Sequence, residues 1–206
     1  MGQHTFIECD SFRLEAVYQK NKRPEAVVIT HPHPRYGGNM ENPVVNTIEQ
    51  AFYGNGVATL KFNFRGTGNS TGRFDDGVGE QADVKAAVEF LENEGYGRIR
   101  LAGYSFGSRI NAAVVSGGCR VTDHIMVSPP VAFMTFDDIP SLNNTGLVIT
   151  GSDDDIAPKA LIETHLDRWG IDPVFETIPD CDHFYSSCLD RLGIILDKYL
   201  AGELNG

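Results

Sequence analysis

Cysteine is scarce in this sequence and carries no pattern. There are four in 206 residues, Cys9, Cys119, Cys181 and Cys188, with no C-x-x-C pair. That is too few to staple a chain of this size, and the expectation is reduced thiols, with Cys181 and Cys188 as packing residues. Basic residues are also in short supply, 17 Lys and Arg against 28 Asp and Glu, giving a net charge of −11. General affinity for nucleic acid or anionic lipid depends on clustered cations, so both classes of partner are excluded. No run approaches the roughly 20 apolar residues of a membrane span. The opening MGQHTFIECD lacks the basic start and apolar core of a secretory signal, and Phe6 stands where a myristoylation motif needs Ser or Thr. These absences lead to the expectation of a cytoplasmic protein. With 41% hydrophobic residues, no repeats and no linker, one domain over residues 1–206 is expected.

What the chain does have is regular alternation. Thr5 to Cys9 and Phe12 to Tyr18 alternate apolar and polar residues around Asp10-Ser11, which predicts an antiparallel hairpin at a sheet edge. Ala26 to Thr30 is a continuous apolar run suited to a buried parallel strand. Further strands are predicted at 57–62, 98–102, 123–127, 146–150 and 173–178. Helices are predicted at 43–53, 79–93, 109–115, 159–169 and 186–200. Alternation of this kind, with right-handed crossovers, makes an α/β fold with a mostly parallel sheet covered on both faces. Its ligand site lies at the carboxyl ends of the strands.

Between one strand and the helix after it stands Gly103-Tyr104-Ser105-Phe106-Gly107, a G-x-S-x-G pentapeptide. In that setting it reads as a tight turn lifting the Ser105 hydroxyl above the sheet, with glycines where a Cβ would strike neighbouring backbone. A serine nucleophile needs a base, and the base an orienting carboxylate. Asp154 and His183 follow Ser105 in the chain, each in a loop after a late strand. Asp153 and Asp155 compete for the acid role.

With these residues in place, the chain resembles α/β-hydrolases of the small, lidless bacterial type, related to dienelactone-hydrolase-like and serine-aminopeptidase-like sequences. The resemblance covers essentially the whole length. It implies an α/β-hydrolase fold without a cap domain, Ser105 as nucleophile, and His183, followed by Phe184, as base. The family's G-x-x-D loop falls on Gly151 to Asp154, which puts the acid on Asp154. The His31-Pro32-His33-Pro34 stretch, continued by Gly37-Gly38-Asn39-Met40, resembles the oxyanion loop of one subgroup with an HPHPxxGGxM signature. That puts oxyanion donors on the backbone N–H groups of His33 and Phe106; prolines 32 and 34 have none to offer. The Arg65-Gly66-Thr67-Gly68-Asn69-Ser70 loop resembles a structural support of the family. A dinucleotide fingerprint is disfavoured there, because Thr71 stands where the third glycine belongs. A metal pair at His31 and His33 with Asp154 is disfavoured too, for want of any H-E-x-x-H companion.

The resemblance thus implies a carboxylesterase-like serine hydrolase that cleaves small ester or thioester substrates through an acyl-enzyme. No cofactor or metal is called for, and the state is monomer or homodimer. A peptidase or amidase using the same triad, and a silent hydrolase fold kept for binding, remain open. Only Ser128 to Thr145 separates two late strands, room for a loop and a short helix around 133–138 but not a lid. An open site favours short acyl groups of about two to four carbons, since each buried CH₂ contributes about 0.8 kcal/mol. The alternative is an apolar wall built from Tyr36, Met40, Phe133, Met134 and Phe136.

Overall fold

In the computed structural model, which describes residues 2–204, one eight-stranded sheet runs through the chain in the order β1-β2-β4-β3-β5-β6-β7-β8. β1 (Gln3–Cys9) and β2 (Phe12–Gln19) form the expected antiparallel hairpin, and β2 also pairs antiparallel with β4 (Ala58–Phe62). From β4 onward neighbours are parallel: β3 (Glu25–Thr30), β5 (Arg98–Tyr104), β6 (Asp123–Val127), β7 (Thr145–Gly151) and β8 (Val174–Ile178).

The inner strands are largely apolar and buried because both faces are covered. On β3, Ala26 and Val28 face one core while Val27 and Ile29 face the other. The first core takes Val84, Val88 and Leu91 of α2 (Gly79–Asn93), Ile110 and Val114 of α3 (Phe106–Ser116), and Ile162 and Leu166 of α4 (Lys159–Trp169). The second takes Ile48 and Phe52 of α1 (Pro43–Gly54) and Leu192 and Leu196 of α5 (Leu189–Leu200). α1 shows how locally the boundaries are set. The Asn42 side chain accepts from the Val44 N–H at 2.9 Å, Pro43 occupies the first helical position, and the helix stops at Gly54-Asn55.

Two expectations need correction. No helix forms over 133–138; one turn follows Pro130, whose carbonyl accepts from both Phe133 and Met134 N–H, and the chain then runs as loop. Arg109 of α3 fastens that loop, donating to the Thr135 carbonyl at 2.7 Å and bidentately to Asp138. No cap sits above the sheet here, as expected. The thiols are the second correction: Cys181 and Cys188 are joined in a disulfide, and only Cys9 and Cys119 are free. The sequence has no C-x-x-C pattern because these two lie seven residues apart, brought together by the turn that precedes α5. Constraining a loop of this size stabilises by roughly 2 kcal/mol. Thiol titration of the denatured, unreduced protein should therefore find two reactive groups, rising to four after dithiothreitol. Four before reduction would show that the bridge is not formed.

Candidate active site

β5 runs two residues further than its alternation predicts, through Gly103 and Tyr104, and α3 begins at Phe106. Ser105 is the entire turn between them. Its φ of 52° and ψ of −117° lie where non-glycine residues rarely sit, a strain that recurs at functional turns. The turn is anchored by the Ser105 N–H, which donates to the Val127 carbonyl of β6 at 2.9 Å. The two flanking glycines are needed for space. A Cβ on Gly103 would stand 2.6 Å from the Ser108 nitrogen, and one on Gly107 2.6 Å from the Thr30 carbonyl oxygen.

The loop after β8 brings His183 to this turn. Its Nε2 lies 2.9 Å from Ser105 Oγ, and its Nδ1 lies 2.9 Å from both carboxylate oxygens of Asp154, in the loop after β7. Of the three consecutive aspartates only Asp154 is turned inward and buried. Asp153 and Asp155 are exposed, and Asp153 is bonded to the Ser152 hydroxyl. Asp154 is fixed by the N–H groups of Ile156 and Ala157, at 3.0 and 2.7 Å. Burial pushes its carboxyl pKa up, but the hydrogen bond and charge of His183, the Ser128 hydroxyl and the Ala157 N–H outweigh this and hold it below the usual range. The loops of Asp154 and His183 are also tied to each other: Asp153 N–H donates to the Cys181 carbonyl at 3.0 Å, and Asp180 N–H to Ser152 Oγ at 2.8 Å. The Cys181–Cys188 bridge then closes the His183 loop onto the start of α5.

The other half of the site is the loop after β3, where residues 34–36 form a 3-10 turn. His31 is fully buried beneath it. Its Nδ1–H donates to the Pro32 carbonyl at 2.7 Å and its Nε2 accepts from the Phe64 N–H at 3.0 Å, which leaves neither nitrogen for a metal. Burial lowers its pKa to about 4, and a second proton on Nε2 would confront the Phe64 donor. The N–H groups of His33 and Phe106 have no acceptor among the described residues, and both residues line the same cavity as Ser105 and His183. The cavity has a volume of about 380 Å³, at the small end for ligand pockets. Of the five apolar residues named above as a possible wall, Tyr36, Phe133 and Met134 border it; Met40 and Phe136 turn into the protein and are buried.

The residues that support the site are only partly marked in the sequence. The Tyr104 hydroxyl donates to the His183 carbonyl at 2.7 Å, and Ser128, at φ 46°, meets the Tyr185 hydroxyl at 2.9 Å beneath Asp154. Glu15 of β2 accepts from Asn63 Nδ2 at 2.8 Å, and Asn63 in turn accepts from the Met40 N–H at 2.8 Å, bracing the loop after β3. Arg65 clasps Asp83 of α2 through its guanidinium and its own N–H, so the Arg-Gly-x-Gly loop is a brace rather than a ligand cradle. The sequence pointed to the Arg65 loop by its motif, to Tyr104 by its place in the pentapeptide and to Ser128 by its position just past a strand, but not to Glu15, Asn63 or Tyr185.

His31 and His124 give the fold an acid limit. His124 is buried with its Nδ1 on the Thr145 hydroxyl, and burial lowers its pKa to about 3. Unfolded histidine titrates near 6.5, so from about pH 6.5 down to the folded values the unfolded chain binds more protons, and stability falls with pH. The urea midpoint should hold above pH 7 and decline as pH drops from 6.5 toward 4. A midpoint flat to pH 4.5 would show that these rings are not buried neutral.

No family model matches the sequence. An uncharacterized protein of Rickettsia prowazekii (strain Madrid E) is 30% identical over 200 residues, covering 91% of this chain and 84% of that one. Among solved structures, an α/β serine hydrolase homologue from Coxiella burnetii is 32% identical, with a TM-score of 0.89 over 96% of this chain and 97% of its own. A member of the α/β serine hydrolases without a lid, from Xanthomonas campestris, is 26% identical, with a TM-score of 0.91 over 100% and 96%. Likeness along the whole length in sequence and in fold leaves one assignment: the chain belongs to the α/β-hydrolase family, in its small form without a lid.

Proposed function

We propose that the protein is a serine hydrolase that cleaves small carboxylic esters or thioesters through an acyl-enzyme. Ser105 is the nucleophile, His183 the general base and acid, and Asp154 the orienting carboxylate. The observation that carries this reading is the continuous line Ser105 Oγ, His183 Nε2, His183 Nδ1, Asp154, with 2.9 Å at each step.

In the first step Ser105 Oγ bonds to the substrate carbonyl carbon while His183 Nε2 takes its proton. Asp154 holds the other ring nitrogen and stabilises the imidazolium. The free N–H groups of His33 and Phe106 receive the oxyanion, a contribution typically worth 10²–10³-fold per donor. His183 then gives the proton to the departing alkoxide or thiolate. Water, deprotonated by the same ring, attacks the acyl carbon and regenerates Ser105.

The absence of a covering lid supports small substrates and water-accessible turnover without activation at a lipid interface. Two-step chemistry has a kinetic mark that tests the reading. Rapid mixing with p-nitrophenyl acetate should release a burst of p-nitrophenol equal to the enzyme concentration, followed by slower steady turnover. Matched p-nitroanilides should react far more slowly. Faster turnover of the anilides would favour an amidase, and no Ser105-dependent release from either would leave a binding fold.

A further inference from the structure

Three of the large apolar side chains that the fold leaves exposed, Tyr36, Phe133 and Phe184, border the cavity that holds Ser105. They are 74%, 56% and 68% exposed, while the other exposed large apolar residues, from Phe6 on β1 to Ile194 on α5, lie elsewhere. Scattered exposed apolar residues need no explanation, but three around one nucleophile form a surface that a ligand covers. They approach from separate loops: Tyr36 from the 3-10 turn after β3, Phe133 from the loop after β6, and Phe184 beside His183.

These rings divide into a pair, Tyr36 and Phe133, and a single ring, Phe184, that packs on His183. A leaving group must depart beside His183 Nε2 to receive its proton, and Phe184 stands edge-on to that ring, centroids 5.7 Å apart. The acyl group must lie away from His183. Apart from Phe184, a run of ring contacts leads from Phe106, the residue after Ser105, through the loop after β3. Phe106 meets His33 at 4.8 Å, His33 meets Tyr36 at 4.9 Å, and Tyr36 meets Phe133 edge to face at 5.9 Å and 69°.

Resting on the hydrolase reading and naming its substrate class, we propose that the Tyr36–Phe133 pair receives the flat ring of an arenecarboxylic acyl group of benzoyl type. Ring faces and edges gain more from an aromatic partner than its area alone provides. A rigid ring also loses little conformational freedom on binding, whereas an alkyl chain must be ordered. The cavity is small, about 380 Å³, and open, so an extended chain would leave its outer carbons in water and gain only from those it buries.

The test uses four ethyl esters sharing one leaving group: benzoate, cyclohexanecarboxylate, butanoate and octanoate. Each kcat/KM is divided by the ester's hydroxide-catalysed rate constant, so that intrinsic reactivity cancels. Benzoate and cyclohexanecarboxylate match in carbon count and differ in aromaticity. Their ratio should be about 10 in the native protein, and octanoate should not exceed benzoate. Phe133→Leu and Tyr36→Leu, which keep apolar bulk but remove the ring, should each bring the ratio toward one. A native ratio at or below one, a ratio unchanged in both variants, or octanoate as the best substrate would overturn the inference. Ser105-dependent turnover of butanoate alongside any of these outcomes would strike the acyl-site inference alone. No Ser105-dependent turnover of any ester would remove the hydrolase reading with it.

Discussion

Replacing Ser105 with alanine is expected to lower kcat/KM for a short ester by roughly 10³-fold or more, because triad members act as a unit and loss of one forfeits the step they share. The melting temperature should barely move. The hydroxyl faces the cavity and His183 Nε2, its removal leaves no apolar void, and alanine occupies the same strained backbone conformation as serine. Both halves of this expectation matter, since a variant that lost activity by unfolding would say nothing of the nucleophile. Activity and thermal unfolding measured on one preparation separate them. A variant retaining more than a tenth of native turnover would exclude Ser105, and the free Cys9 and Cys119 are no substitutes. Cys9 is buried against Asp83 with its thiol pKa raised to about 11, and the Cys119 thiol is pushed up by burial and Glu92.

The second large effect belongs to the acid. Asp154→Asn should cost on the order of 10⁴-fold, because an amide offers His183 Nδ1 either a donor or a neutral acceptor and no longer fixes the tautomer that frees Nε2 to take the serine proton. Asp153→Asn and Asp155→Asn should each stay within about threefold of native activity, as solvated carboxylates far from the ring normally do. The amide also keeps the bonds from the Ile156 and Ala157 N–H groups, so the loop should hold its shape. The charge lost is the one that steadies the imidazolium. Steady-state kinetics of the three variants settle the register: the largest loss at 153 or 155 would mean that the loop is set differently.

The sequence carried the site's skeleton because the fold puts chemistry at strand ends. Ser105, Asp154 and His183 each come just after a strand, and glycines 103 and 107 mark a turn too tight for a Cβ. Periodicity was also enough for α2 and α4, whose limits agree with the prediction residue for residue. It was not enough where tertiary contacts decide. The stretch from Phe133 to Asp138 has helical spacing of apolar residues, yet Phe136 is drawn inward against Trp169, at 5.7 Å between ring centroids, and Asp138 is held by Arg109 from another element. The stretch runs as loop and the supposed apolar wall is split, leaving Phe133 at the cavity and Phe136 in the core.

The disulfide was out of reach for a similar reason. Spacing alone does not show that the turn through Tyr185, at φ 57°, folds Cys181 back on Cys188. Tyr185 itself, fully buried and bonded to Ser128, looks in the sequence like one more aromatic before a helix.

The measurement that bears most directly on the account is covalent labelling by a fluorophosphonate, which reacts with a serine activated by a histidine base and not with ordinary hydroxyls. Intact-protein mass spectrometry should show one adduct per chain, peptide mapping should place it on Ser105, and His183→Ala and heat-denatured protein should take up none. An unlabelled native protein, or an adduct on any residue other than Ser105, would contradict the assignment of this turn as a catalytic centre.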